Sequence, residues 1–440
     1  MNWFPGNNWD LSRALNEGFA AAPDGWYFVT MRSSLSGLCL LAIIFACPVA
    51  GDERPALKSL YDSHQWFELR DAVLKTDAPP FYRAAVVCAR NDVRACEQDV
   101  KAFVKSDPRS EETYEVRSLL ASACLRNGLY RETLTQLDEL LAMKPNAQDI
   151  GNFRPMVATL AKFPDQFTSA QKPSTLKLHN EGGDLGIPVS INGHSATYTF
   201  DTGANLSLLS ESEAKRLGLT VDDVSTKMEV MTGAQVPIRI AEADELRAGD
   251  FRLRHVAFMV FPDSQPPFDG MPVGERGIIG ISVLLAFQVF NWGSDGTFQI
   301  GLPAPDPKAH HTDLLFDQQI PVLQLVFEDK NLLFSLDTGA EDTGLYATFA
   351  DAFPQIIATL GKKESHKITG VGGSADIDVV TLLEADFQIG GFPIVLRPAT
   401  VFLKQTTSGS RYFHGNLGMD LLKQSERTTI DFKAMTLTLQ

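Results

Sequence analysis

The second half of this chain is written twice. One module runs Ile187-Pro188-Val189, then Phe200-Asp201-Thr202-Gly203-Ala204, then Gly277-Ile278-Ile279-Gly280 followed by Leu284-Leu285. The other runs Ile320-Pro321-Val322, then Leu336-Asp337-Thr338-Gly339-Ala340, then Gly415-Asn416-Leu417-Gly418 followed by Leu421-Leu422. From aspartate to closing glycine is 79 residues in the first copy and 81 in the second. A duplicated module is the economical explanation. Its texture is short alternating runs punctuated by Gly, Asn and Pro, which reads as all-β.

The triplet Asp-Thr-Gly occurs at Asp201, at Asp337 and again at Asp342. A single tripeptide means little, but context separates the three. In "ATYTFDTGA" and "LLFSLDTGA" the triplet ends an apolar run, where a strand delivers the carboxylate at its tip. Asp342 follows Gly339-Ala340-Glu341 instead, in the loop beyond. Asp201 and Asp337 are therefore the candidate catalytic pair.

With these motifs the chain resembles the aspartic proteases, and the retroviral-type (retropepsin-like) branch more closely than the pepsin branch. "DTGAEDTGL" is similar to the retroviral pattern of Asp-Thr-Gly-Ala, two acidic residues and Thr, and "GIIGISVLL" resembles the late motif that packs against the catalytic loop. The resemblance covers about residues 185–440. Retroviral enzymes pair two identical chains, whereas this chain carries both copies, as pepsins do, so its catalytic unit is expected to be a monomer.

The resemblance implies a two-lobed acid protease barrel that hydrolyses peptide bonds without cofactor or metal. Two carboxyls within hydrogen-bonding distance cannot both ionise cheaply, so the pair keeps one proton: the charged partner activates water and the protonated one polarises the scissile carbonyl. By the same resemblance Thr202 and Thr338 bond across the two loops, while Gly203 and Gly339 admit backbone that a Cβ would obstruct. Ala204, Asn205, Ala340, Glu341 and Asp342 would contact substrate. "MTGAQVPI" (Met231 to Ile238) and "ITGVGGSADI" (Ile368 to Ile377) look like flap hairpins that grip an extended peptide, with Gly233 and Gly372 supplying mobility. Three departures stand out: Asn205 replaces the first acidic residue in module one, Ile281 and Met419 stand where retroviral enzymes favour arginine, and neither flap has a pepsin-type tyrosine. The rival reading keeps the fold and makes the chain a non-catalytic peptide-binding or scaffold protein. Two intact triplets argue for catalysis.

Upstream, apolar residues from Arg54 to about Phe163 recur at helical spacing. Asn91 to Pro108 and Gly128 to Pro145 repeat one layout with a period of 37 residues, which resembles tetratricopeptide repeats. Such helix pairs either form a groove for a protein partner or support the next domain. The apolar run Leu38 to Cys47, after Met31-Arg32 and before Val49-Ala50-Gly51, reads as a secretory signal, with translation starting at Met31. Export to the bacterial periplasm or medium is the expectation, and a lipid-anchored form through Cys47 is the alternative. Cys88 and Cys96 sit symmetrically about a turn at Asn91-Asp92 and suit a disulfide; free buried thiols are the other reading. A net charge of −15 excludes a nucleic-acid partner that would need a basic stripe. The expected architecture is thus multidomain α plus β: extension and signal peptide over 1–51, TPR-like helical domain over 52–165, linker over 166–184, retropepsin-like lobe 1 over 185–302, linker over 303–311, and lobe 2 over 312–440.

Overall fold

The computed structural model describes residues 54–181, 184–229, 235–302, 309–370, 373–404 and 411–440. The expected signal segment, the tip of the first flap with Gly233, and Gly372 in the second flap lie outside the described residues.

Among the described residues seven helices come first: α1 (Arg54–Asp62), α2 (Trp66–Lys75), α3 (Pro80–Ala89), α4 (Val93–Ser106), α5 (Glu111–Arg126), α6 (Tyr130–Met143) and α7 (Gln148–Leu160). Local chemistry places their ends. The Asp92 side chain caps α4 by accepting from Ala95 N at 3.0 Å, and Ser110 caps α5 by accepting from Thr113 N at 3.1 Å. α3 and α5 both stop at a left-handed residue, Asn91 (φ 58°) and Gly128 (φ 71°), which stand one sequence period apart. Cys88 on α3 and Cys96 on α4 are joined in a disulfide, and Cys124 is a buried free thiol.

The β region then follows in two halves. The first contains β1 (Phe167–Ala170), β2 (Ser174–Lys177), β3 (His179–Glu181), β4 (Asp184–Ile191), β5 (His194–Phe200), β6 (Ser207–Ser210), α8 (Glu211–Arg216), β7 (Val221–Glu229), β8 (Gln235–Ala248), β9 (Phe251–Phe261), β10 (Gly277–Ile279), α9 (Ile281–Phe287), β11 (Val289–Gly293) and β12 (Thr297–Ile300). The second contains β13 (His310–Asp313), β14 (Leu315–Asp317), β15 (Ile320–Phe327), β16 (Lys330–Leu336), β17 (Gly344–Leu345), α10 (Ala347–Ala352), α11 (Pro354–Leu360), β18 (Lys362–Gly370), β19 (Gly373–Leu382), β20 (Ala385–Ile389), β21 (Phe392–Leu396), β22 (Ala399–Phe402), β23 (Gly415–Leu417), α12 (Met419–Leu422), β24 (Arg427–Asp431) and β25 (Thr436–Leu439).

The duplication in sequence is a duplication in topology. One sheet has the central order β9-β6-β10-β5-β4 and the other β22-β17-β23-β16-β15. In each, the strand before the triplet pairs in parallel with the strand before the closing glycine (β5 with β10, β16 with β23), and that strand pairs antiparallel with the one just after the triplet. A third sheet, ordered β13-β25-β24-β11-β12-β2, draws strands from both halves and ties them together, with Phe290 opposite Ile430. Phe200, Phe287, Phe290, Trp292 and Phe298 pack at this junction within a core that continues into lobe 2.

The expected linker over 166–184 is a correction. It contributes β1 and β2, edge strands of two different sheets, paired to β9 and β12. An edge strand with one solvated side carries polar residues, which is why the segment reads as linker. His310 and His311 at the end of the second expected linker likewise lie in β13, paired with β25.

The helices dock on both lobes. α5 offers Ala121 and Leu125 to a cluster shared with lobe 1, and Val116, Leu119, Leu120 and Ala123 to one shared with Leu315, Val322, Leu333 and Phe413 of lobe 2. Polar contacts fix the second junction. The fully buried Arg126 donates to Cys88 O and Gln318 O, both at 2.5 Å, and lies over the Phe316 ring. His64 Nδ1 meets Asp317 Oδ2 at 2.6 Å while its ring stacks on Tyr412.

Candidate active site

Asp201 follows β5 and Asp337 follows β16, and each is fixed in the same way. Asp201 N donates to Ile279 O at 2.9 Å, and Asp337 N donates to Leu417 O at 3.0 Å. Each carboxylate accepts two backbone amides of its own loop through Oδ1: Gly203 N at 2.7 Å and Ala204 N at 3.1 Å for Asp201, and Gly339 N and Ala340 N, both at 3.1 Å, for Asp337.

The two loops meet at the seam. Thr202 N donates to Thr338 Oγ1 at 3.1 Å, and Thr338 N donates to Thr202 Oγ1 at 3.0 Å. Each hydroxyl in turn donates to a carbonyl of the opposite strand, Leu336 O at 2.8 Å and Phe200 O at 3.0 Å. Both threonines are buried, so all four bonds are shielded from water. A Cβ on Gly203 would lie 2.8 Å from Asp337 Cγ, and one on Gly339 would press still closer on Asp201. Glycine at the third triplet position is what lets the two carboxyls approach.

The carboxyls share a hydrogen bond, and Asp201 is held well above the usual carboxylate range. Burial is the main cause, followed by the Asp337 charge and by the hydrogen bond itself.

A second tier of bonds went unnoticed in the sequence. Six residues beyond each aspartate a hydroxyl accepts from the closing glycine: Gly280 N to Ser207 Oγ at 3.0 Å and Gly418 N to Thr343 Oγ1 at 2.9 Å. Ile281 N and Met419 N bond Ala204 O and Ala340 O at 2.8 and 2.9 Å. A Cβ on either closing glycine would strike the backbone of the loop it covers. The matched Ser and Thr in "DTGANLS" and "DTGAEDT" were the available signal.

The lobes differ next to the dyad. In lobe 2, Asn416 Nδ2 donates to Asp337 Oδ2 at 2.9 Å, and Ser335 Oγ donates to Asn416 Oδ1 at 2.5 Å. The corresponding place in lobe 1, paired with Thr199 as Asn416 is with Ser335, belongs to Ile278. Ile278 sits in an apolar cluster with Ala204, Leu206, Leu208, Ile238 and Ile240, covered by Phe153, Met156, Val157 and Leu160 of α7.

That cover decides where the expected substrate contacts fall. Ala204 and Asn205 are 9% and 4% exposed, so neither lines open cleft in this structure. Glu341 and Asp342 are exposed and Ala340 is half-buried, in the loop that follows Asp337. Gly233 and Gly372 lie outside the described residues; the second flap is paired up to Gly370 opposite Gly373. Among the described residues, Glu242, Asp244 and His255 could converge on a cation, though His255 Nδ1 already meets Glu242 Oε1 at 2.8 Å.

Residues 187–283 match the family model described as aspartyl protease. Among solved structures the chain is similar to an aspartic proteinase from Irpex lacteus (12% identity, TM-score 0.39, covering 61% of this chain and 98% of that one). It is similar also to basic 7S globulin from soybean (12%, 0.38, 61% and 96%) and to a retropepsin-like aspartic protease from Rickettsia conorii (17%, 0.22, 30% and 93%). No curated protein sequence matches.

Proposed function

We propose that the chain is an exported aspartic endopeptidase. The observation that carries this reading is the contact between two carboxyl groups from opposite lobes, each oriented by two backbone amides and locked by reciprocal threonine bonds. Water bound between the carboxyls attacks the scissile carbonyl carbon, losing a proton to Asp337. The carbonyl oxygen takes the proton of Asp201, giving a gem-diol. When that intermediate collapses, the C–N bond breaks, the leaving nitrogen takes the proton from Asp337, and Asp201 recovers one from a diol hydroxyl. The balance is one peptide and one water to one acid and one amine. Substrates are extended peptides, consistent with the two hairpins β7–β8 and β18–β19, each lying in the chain between a catalytic triplet and its closing glycine. Export is supported by the apolar run before Gly51 and by the Cys88–Cys96 disulfide.

One observation favours a second reading, peptide binding without cleavage: the apolar cover of α7 on the dyad-facing side of lobe 1. The purified chain from Asp52 onward, incubated with a peptide library and read by mass spectrometry, separates the two. Cut peptides that vanish in both Asp201→Asn and Asp337→Asn support the protease; retention of intact peptides with no cleavage from acid to neutral pH supports the binder.

A further inference from the structure

The two catalytic loops are near copies, yet one polar group breaks their symmetry at the reacting atoms. Asp337 Oδ2 accepts from Asn416 Nδ2, so its carboxylate has a side-chain amide donor beyond its two backbone amides. Asp201 receives two backbone donors, and the place equivalent to Asn416 is the buried, apolar Ile278. The amide of Asn416 is itself held. Ser335 Oγ donates to its Oδ1 and is also in hydrogen-bond contact with the phenol of Tyr346, which links Tyr346, Ser335, Asn416 and Asp337. An acceptor-only carboxylate is favoured by every donor aimed at it, and a carboxylic acid facing isoleucine is favoured by the lack of one.

We propose that Asn416 is a positioning residue for the hydrolysis described above: its amide keeps Asp337 as the anion that takes the water proton and leaves the shared proton on Asp201. The inference rests on that catalytic reading for its consequence and on the hydrogen-bond geometry for its substance. Other ionisable groups around Asp337 are accounted for. The Tyr346 phenol is pushed further from ionisation by burial, and His414 is held by Leu333 N. Asp420 on α12 is bonded to Thr343, and Glu341 and Asp342 are exposed on the loop. Of these, Tyr346 lies near enough for the Asp337 charge to oppose its ionisation further.

The test compares wild type with Asn416→Leu, Asn416→Gln and Ser335→Ala in the whole chain from Asp52. Carbon-13 titration of aspartate-labelled protein without substrate reads the dyad directly, as macroscopic steps of the pair. Losing a donor to a charged acceptor is expected to raise the lower step by about one to two pH units in Asn416→Leu. A smaller rise is expected in Ser335→Ala, and partial return in Asn416→Gln. In the kinetic arm the acidic limb of kcat/KM moves up by the same amount, and kcat falls with KM little changed. An unmoved lower step in a folded Asn416→Leu overturns the proposal; if that variant does not fold, an unmoved step in Ser335→Ala and a wild-type profile in a folded Asn416→Gln with its amide displaced do so. Absence of cleavage by wild type would instead overturn the protease reading, while the titration still decides the role of Asn416.

Discussion

Lobe 1 and lobe 2 share a backbone and differ in what covers the face beside the dyad. In lobe 1, alternate residues of each strand serve two cores: Ile279, Leu209, Ala241 and Val260 face the interior of the lobe, while their neighbours Ile278, Leu208, Ile240 and Met259 face α5–α7. In lobe 2, Leu417, Leu345 and Val401 face the interior, and their neighbours Asn416, Gly344 and Thr400 are only half-buried. Duplication conserved what the chemistry needs from both halves. It left free the surface that need not match, and the helical region occupies that surface on one side. In this structure the exposed acidic residues next to a catalytic triplet, Glu341 and Asp342, belong to lobe 2.

The largest expected effect tests whether chemistry is nevertheless shared equally. Asp201→Asn and Asp337→Asn should each lower kcat by at least about 10²–10⁴-fold, measured on one peptide under identical conditions. Substantial turnover in either variant would mean that one lobe suffices. The same variants carry a stability signature. A carboxyl raised in the folded state binds its proton more tightly there than in the unfolded chain. Its contribution is therefore full below the ordinary carboxylate range and is lost as pH rises through the folded value. Asp201→Asn, which cannot ionise, should gain on wild type in thermal unfolding between about pH 5 and pH 8, at about 2–4 °C per kcal/mol.

Next in size is the helical cover itself. Phe153 on α7 and Phe81 on α3 are both buried, the first against lobe 1 and the second within the cluster shared with lobe 2. Either one changed to Ala should cost about 3–5 kcal/mol, read by urea unfolding. Only Phe153→Ala loosens the face beside Asp201, so only it should lower KM for peptides. Equal KM values for the two variants would show that α7 has no bearing on the cleft. Of comparable size are Thr202→Val and Thr338→Val. Each strands a buried amide and a buried carbonyl, at about 1–3 kcal/mol for each group left unpaired. Because the bonds are reciprocal, the two costs should agree, and a clear difference would break the symmetry of the seam.

The parts of this structure that follow repetition were legible in sequence. Asp201, Asp337 and the glycines at 79 and 81 residues' distance could be read because the same short-range geometry recurs twice, and each copy checks the other. Helix ends at Asn91 and Gly128 were legible for the same reason. What escaped was whatever depends on contact between unlike parts. Nothing in "PMVATLAKF" announces that α7 will lie on lobe 1, since an apolar helix face is compatible with any apolar partner. Asn205 read as a cleft residue by analogy with Glu341, and it is buried. Asn416 was visible as a mismatch with Ile278, but its meaning needed the distance to Asp337. The strands β1 and β2 were hidden because edge strands look like linkers.

The smallest effect is also the most direct probe of the difference between the lobes. Five residues past each catalytic aspartate stand Leu206 and Asp342, the first 2% exposed in the cluster shared with α7 and the second exposed. A charge in that exposed position interacts with a substrate charge through water, at about 0.2–1 kcal/mol. Asp342→Asn should therefore raise KM for peptides with a basic side chain by at most about fivefold, leave kcat unchanged, and lose its effect as salt is added. Leu206→Asn should do the reverse, costing stability through a buried amide in an apolar cluster and leaving the preference for basic peptides intact. Were Asp342→Asn to abolish turnover as completely as Asp337→Asn, the third Asp-Thr-Gly would be part of the reacting centre. The assignment of substrate reading to lobe 2 would then have to be replaced by one in which its loop does chemistry.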